Sequence, residues 1–176
     1  GGPGTGFGVG LLRRLIPTQG WVVVGGEGGH QAFAPQTDIE WQLAKRLRQR
    51  LGYVSNEIVA SGSGFEDTLR ALAEVMGVAY CKRSEAEVFE AAKSGEALGL
   101  ELCRIRAATV MTAMGDTALA CNATGGVFLA GGVSVRLAPW LKEAAALARF
   151  RDRGARSGLM APIPIQLIVS DAAPLI

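Results

Sequence analysis

The chain has 176 residues, 49% of them hydrophobic, a size and composition that suit one domain with a well-buried core. Its 18 basic and 16 acidic side chains are spread without runs, which leaves no electrostatic footprint for nucleic acid or an anionic membrane. A small molecule or a protein is the expected partner.

Cys81, Cys103 and Cys121 are odd in number and widely spaced, with no CxxC pair and no histidine near them. Neither a disulfide framework nor a zinc site is indicated, so they read as reduced thiols. There is no signal or transit segment and no apolar run of membrane-spanning length, so a reducing cytoplasm is the expected setting. The 24 glycines cluster at the ends of apolar runs, as turns do.

In chain order, Gly1-Gly-Pro-Gly-Thr-Gly-Phe-Gly8 opens without a leading strand, and further sequence upstream is expected. Its backbone amides and the Thr5 hydroxyl suit an anion, although the loop lacks the Gly-Lys-Ser/Thr ending of the common phosphate loop. A plain flexible segment is the competing reading. Phe7 to Arg14 and Trp21 to Val24 read as a hairpin turning at Pro17-Thr-Gln-Gly20. The stretch Val24 to Pro35 follows, where four glycines surround Glu27 and the chain's single histidine, His30. Gly28 and Gly29 permit a tight fold that aims both side chains at one point, and a carboxylate beside an imidazole matches adjacent hydroxyls. We read it as a sugar-binding loop, against the alternative of an ordinary turn with a structural histidine.

Asp38 to Leu51 repeats apolar residues every four positions, an amphipathic helix capped by Thr37 or Asp38 and closed by Gly52. Glu57-Ile-Val-Ala-Ser-Gly-Ser-Gly64 is a short apolar run ending in a glycine turn, with Glu57 as surface or site. Phe65 to Met76, Ser84 to Ala92 and Glu96 to Asn122 carry helical spacing. Gly99 and Gly115, inside the last of these, suggest close packing against a neighbour. The apolar faces of that helix suit either core or interface. Gly126-Val-Phe-Leu-Ala-Gly-Gly132 reads as a buried strand and double-glycine turn. A helix to about Ala148 follows, with free amides expected at its start beyond Ser134. There a flat ring has room to approach Gly131 and Gly132; a ligand-free connection is the alternative. Ile163 to Val169 is a last apolar strand, expected to be covered on both faces.

Strands alternating with helices indicate an α/β layered domain. The ordered set Gly2-Pro-Gly-Thr-Gly-Phe-Gly8, Gly25-Gly-Glu-Gly-Gly-His30 with Phe33-Ala-Pro35, Glu57 through Ser61-Gly-Ser-Gly64, Gly126 to Gly132, Phe150-Arg-Asp-Arg-Gly154 and Ile163 to Asp171 resembles the bacterial-type glucokinase family from end to end. That resemblance implies the large lobe of a ribonuclease-H-like (actin-like ATPase) fold, a mixed sheet flanked by helices. It implies that Glu27, His30 and Glu57 bind glucose hydroxyls, that Gly4, Thr5 and Gly6 face the ATP phosphates, and that Gly131 and Gly132 lie against the adenosine. ATP with Mg²⁺ is the implied cofactor and a homodimer the implied assembly. ROK-type kinases and repressors share a similar Glu-x-Gly-His element followed by a cysteine-rich zinc motif. Residues 31 to 64 contain no cysteine, which points to the zinc-free branch.

In the family, the catalytic aspartate and the first phosphate loop lie in a smaller N-terminal lobe, to which a C-terminal helix returns. Nothing here matches those parts, so residues 1–176 are expected to be the large lobe alone and inactive by themselves. Asp38, Asp67, Asp116, Asp152 and Asp171 are poor candidates for the base; no catalytic residue and no metal ligand is assigned. The alternatives are a non-catalytic sugar-binding regulatory module and a kinase for another hexose.

Overall fold

The structure is a computed structural model and describes residues 1–14, 16 and 20–169. Strands β1 (Gly2–Pro3), β2 (Phe7–Arg13) and β3 (Val22–Gly26) form an antiparallel sheet in that order, with Val9 opposite Gly26 and Arg13 opposite Val22. This is the expected hairpin; most of its Pro17–Gly20 turn, like Asp171, lies outside the described residues. Phe7 and Val9 point inward at alternate positions of β2, as a half-buried strand requires. Strand β4 (Val127–Leu129) pairs in parallel with β5 (Ile165–Leu167). The amino group of Gly1 donates to Phe128 O (2.9 Å) and Ala130 N donates to Gly1 O (3.0 Å), the exchange of a parallel bridge. The two sheets are thereby joined into one mixed array.

Helix α1 (Asp38–Leu51) starts where the Thr37 hydroxyl accepts from Glu40 N and ends at Gly52, whose φ of 77° suits glycine. Helices α2 (Asn56–Ala60), α3 (Phe65–Met76) and α4 (Glu85–Lys93) follow, the last opened by a reciprocal Ser84–Glu87 capping box. Helix α5 (Ala97–Cys121) is the spine, and its apolar residues face two sides. Leu98, Leu102 and Ile105 pack with Leu43, Leu47, Leu69 and Leu72 of α1 and α3, whereas Cys103, Val110, Met111 and Met114 pack with Phe7 and Leu129 of the sheet. A helix apolar all round is a buried helix. Those faces therefore serve the core, and the interface reading does not apply to them.

Gly99 and Gly115 of α5 do permit close approach. A Cβ on Gly99 would lie 3.0 Å from Val88 O, and one on Gly115 would meet Phe150 O at 3.0 Å. The expected helix to Ala148 is three pieces, α6 (Gly132–Arg136), α7 (Ala138–Leu141) and α8 (Ala144–Arg151), before the short α9 (Ser157–Met160). Pro139 lacks the amide that would continue the ladder, which explains the break after Arg136. The two parallel strands are covered on one face only: Val127 and Leu129 are buried, but Phe128 is 49% and Val169 72% exposed. Full coverage of Ile163–Val169 is thus not observed, because the helices pack on the other side. Among the described residues no helix is long and apolar enough to cross a membrane.

Candidate functional site

After β3 the chain makes a single 3₁₀ turn at Gly28–His30, closed by Gln31 N donating to Gly28 O (3.2 Å). The two glycines are required by proximity. A Cβ on Gly29 would sit 2.0 Å from Phe7 O, and one on Gly28 would sit 2.8 Å from the Val9 side chain. The turn therefore lies flat on β2. It is fastened on its other side to the start of α2, where Asn56 N donates to Gln31 O (2.9 Å) and the Tyr53 hydroxyl to His30 O (2.9 Å).

Helix α2 is short and starts at the Ser55 cap, which places Glu57 in its first turn. One carboxylate oxygen of Glu57 accepts from Phe7 N (2.7 Å), so β2 fixes its orientation. The other lies 3.8 Å from His30 Nε2, which is itself 4.0 Å from the Glu27 carboxylate. The structure thus gathers Glu27, His30 and Glu57 around one space. Their separations exceed hydrogen-bond length, so each retains capacity for a ligand's hydroxyls.

The loop 4–6 adjoins this trio. A Cβ on Gly6 would approach Glu57 Oε2 to 2.9 Å, and Gly62 N and Ser63 N donate to Gly4 O and Thr5 O, each at 2.9 Å. Gly4 N already donates to Gly6 O (2.7 Å), so the loop is not a simple run of inward amides. On its far side stands Gly131, with φ 101° and a backbone so close to Pro3 that a Cβ would meet Pro3 O at 2.5 Å. A Cβ on Gly132 would meet nothing within 4 Å, so its backbone faces open space. The trio Glu27, His30 and Glu57, loop 4–6 and the double-glycine turn therefore lie in sequence around one region.

Helix α6 begins at Gly132, two residues before Ser134, and this corrects the expectation of free amides beyond Ser134. Val135 N already donates to Gly131 O (3.2 Å) and Leu137 N to Val133 O (2.9 Å), while the buried Ser134 hydroxyl donates to Ala130 O (2.8 Å). Of the aspartates set aside as base, Asp38 and Asp67 stand in the first turns of α1 and α3. Asp152 accepts from Gly154 N (3.3 Å), and Asp116 pairs with Arg153 (3.4 Å). Burial pushes the Asp116 carboxyl above the usual range despite Arg153 and Arg149. Among the described residues no group of three His, Cys, Asp or Glu side chains is arranged to hold a metal ion.

Two supports of the site escaped the sequence reading. One is Tyr53. The other is Arg106, 1% exposed in the middle of α5, which donates from Nε (3.2 Å) and Nη2 (2.9 Å) to Ala60 O at the end of α2. Its only signal in sequence is that it is one of two arginines, with Arg104, inside the otherwise largely apolar run Leu102 to Val110.

The mixed sheet and its flanking helices are an α/β arrangement of the actin-like ATPase type. The crystal structure of a glucokinase from an Antarctic psychrotroph superposes with a TM-score of 0.88 at 34% identity, covering 99% of this chain and 54% of that one. A Balamuthia mandrillaris glucokinase, solved in complex with glucose, shares the fold with a TM-score of 0.82 at 20% identity, over 96% of this chain and 49% of that one. The glucokinase family model matches residues 1–176, and the chain belongs to the glucokinase family. Glucokinase of Chromobacterium violaceum is 38% identical over 171 residues, 96% of this chain and 48% of its own. The chain spans about half the length of the curated relatives it matches.

Proposed function

We propose that this chain is the large lobe of an ATP-dependent glucokinase whose intact form transfers the γ-phosphoryl group to the 6-hydroxyl of glucose. Glu27, His30 and Glu57 hydrogen-bond the sugar hydroxyls, Gly4, Thr5 and Gly6 face the phosphates, and Gly131 and Gly132 take the adenosine. One observation carries this reading. The Phe7 amide turns the Glu57 carboxylate so that one oxygen adjoins Gly6 and the other adjoins His30. The sugar trio and the loop assigned to phosphate are then neighbours, as in-line transfer requires.

Phosphoryl transfer depends mainly on positioning and charge stabilisation. In this lobe the glycine turns bring backbone close to the nucleotide, while the fixed trio orients the sugar and discriminates against analogues that leave one of its groups unpaired. The uncrowded backbone at Gly132, where a Cβ would meet nothing within 4 Å, supports placing the adenosine there. ATP supplies the transferable group; with no protein ligand assigned, Mg²⁺ belongs with its phosphates. The proposal includes a cytoplasmic homodimer and a base provided from outside residues 1–176, so the 176-residue chain alone should not turn over.

The test is ligand-observed NMR of the full-length protein with glucose, galactose and ATP, repeated on Glu57→Gln. That variant keeps an oxygen for the Phe7 amide and loses the charge beside His30. Glucose affinity should fall at least about tenfold, the effect of one or two hydrogen bonds to a charged group, with ATP binding retained. Undiminished glucose binding would overturn the assignment, and equal or tighter galactose binding would redirect it to another hexose.

A further inference from the structure

We infer that Arg106, Glu85 and Arg136 form a positioning relay that fixes the spacing between the sugar-side helix α2 and the nucleotide-side turn at Gly131–Gly132. This rests on the site assignment proposed above.

The argument starts from the ends of two short helices. Helix α2 has only five residues, so its last carbonyls lack partners one turn on. Arg106 caps one of them by gripping Ala60 O with two of its nitrogens, one turn after Glu57. The same guanidinium donates to Glu85 Oε1 at the start of α4 (2.7 Å) and lies between the rings of Phe65 and Phe89, 5.7 and 5.6 Å from their centroids. Burial draws its pKa down and Glu85 opposes the shift. The other oxygen of Glu85 accepts from Arg136 Nη1 (3.2 Å), at the last residue of the helix that opens at Gly132. Three charged side chains therefore connect the turn carrying Glu57 to the helix carrying Gly132.

The order of burial assigns the parts. Arg106 is nearly inaccessible and Glu85 largely buried, so the Ala60–Arg106–Glu85 half holds α2 firmly. Arg136 is half exposed, so its link to Glu85 is the adjustable one. Loss of that link should release α6 while Glu57 stays in place.

The experiment measures ATP KM at saturating glucose, glucose Kd without ATP, and Tm, on the full-length protein and on Arg136→Gln, Arg136→Lys and Glu85→Gln. Arg136→Gln should raise ATP KM about two- to fivefold, the range an exposed ion pair supports. Glucose Kd should not change, Tm should fall by no more than about 4 °C, as loss of one exposed ion pair implies, and Arg136→Lys should recover most of the loss. Glu85→Gln should weaken both ligands, because it loosens both halves. Arg106→Ala is avoided as the primary variant, since leaving Glu85 and Ala60 unpaired threatens folding. The relay is overturned if Arg136→Gln leaves ATP KM unchanged, or if it raises glucose Kd as much as ATP KM. An unaltered protein that neither binds glucose nor consumes ATP would instead overturn the site assignment, and the relay with it.

Discussion

Gly29→Ala gives the sharpest test of how the Gly28–His30 turn, to which the proposed function assigns the sugar, is held. A methyl group there would lie 2.0 Å from the Phe7 carbonyl oxygen, 2.7 Å from its Cβ and 2.9 Å from its carbonyl carbon, where real contacts need 3.0 Å or more. Two of these are backbone atoms of a buried strand residue, so the loop must retreat by about 1 Å, an overpacking that costs typically ~1–3 kcal/mol. Hydrogen-bond lengths span only about half an ångström, so the same displacement takes His30 out of reach of a hydroxyl shared with Glu57. We expect glucose affinity to fall roughly 10- to 100-fold, as losing one or two such bonds implies. Calorimetric titration of the full-length protein with glucose is the assay, and ATP titration is the internal control. Gly8→Ala serves as a second control, because a Cβ there meets nothing within 4 Å. Wild-type glucose affinity in Gly29→Ala, with Gly8→Ala also unaffected, would refute the placement of this turn against β2.

Two further outcomes concern the core. Arg149 donates to both oxygens of the buried Glu40 at 2.9 Å, to Thr112 Oγ1 at 3.0 Å and to Ala34 O at 3.1 Å, so Glu40→Ala strands a buried cation. It should destabilise by about 3–5 kcal/mol in urea unfolding, whereas joint replacement of Glu40 and Arg149 by apolar residues should recover most of that. The buried Cys103 thiol is pushed up to about 12 by burial, so at pH 8 a thiol reagent should label the exposed Cys81 and Cys121 and spare Cys103. The unfolded chain releases that proton near its ordinary 9.0 and the folded chain holds it to about 12, so stability should decline as pH rises through that interval. Cys103→Ala should abolish this part of the decline, read as the difference between the two proteins' pH–stability curves.

Much of the architecture was legible because local signals agreed. The four-residue spacing of Ile39, Leu43 and Leu47 with Thr37 before it and Gly52 after it marks α1 to the residue. Ser84 and Glu87 likewise announce α4. Helix α2 was not legible. Ile58 and Val59 are β-branched, and five residues are too few for a period to show, so only the Ser55 cap and tertiary contacts decide its conformation. The break after Arg136 was readable from Pro139 but was overridden by the apolar continuity of Leu137 to Leu147. At the site, the residue types were visible in sequence, and so was the need for tight turns at Gly29 and Gly131. The anchoring of Glu57 by the Phe7 amide was not, because a backbone donor fifty residues away leaves no trace in side-chain pattern. The Arg106 support was hidden for the same reason, apart from its odd place in an apolar helix.

The bridge between Gly1 and the strand at Val127–Leu129 has a kinetic consequence. It closes a loop of 127 residues, and such a contact returns nothing until the intervening chain has been ordered. The α1, α3 and α5 cluster can gather from nearer neighbours, but β1 has no partner on its β4 side until residues 128–130 have been synthesised and folded. Loop 4–6 follows directly from β1, and Gly131 follows directly from that partner. The region between them therefore closes among the last parts of the chain, and a folding intermediate would hold a formed helical core while loop 4–6 and Gly131 are still apart.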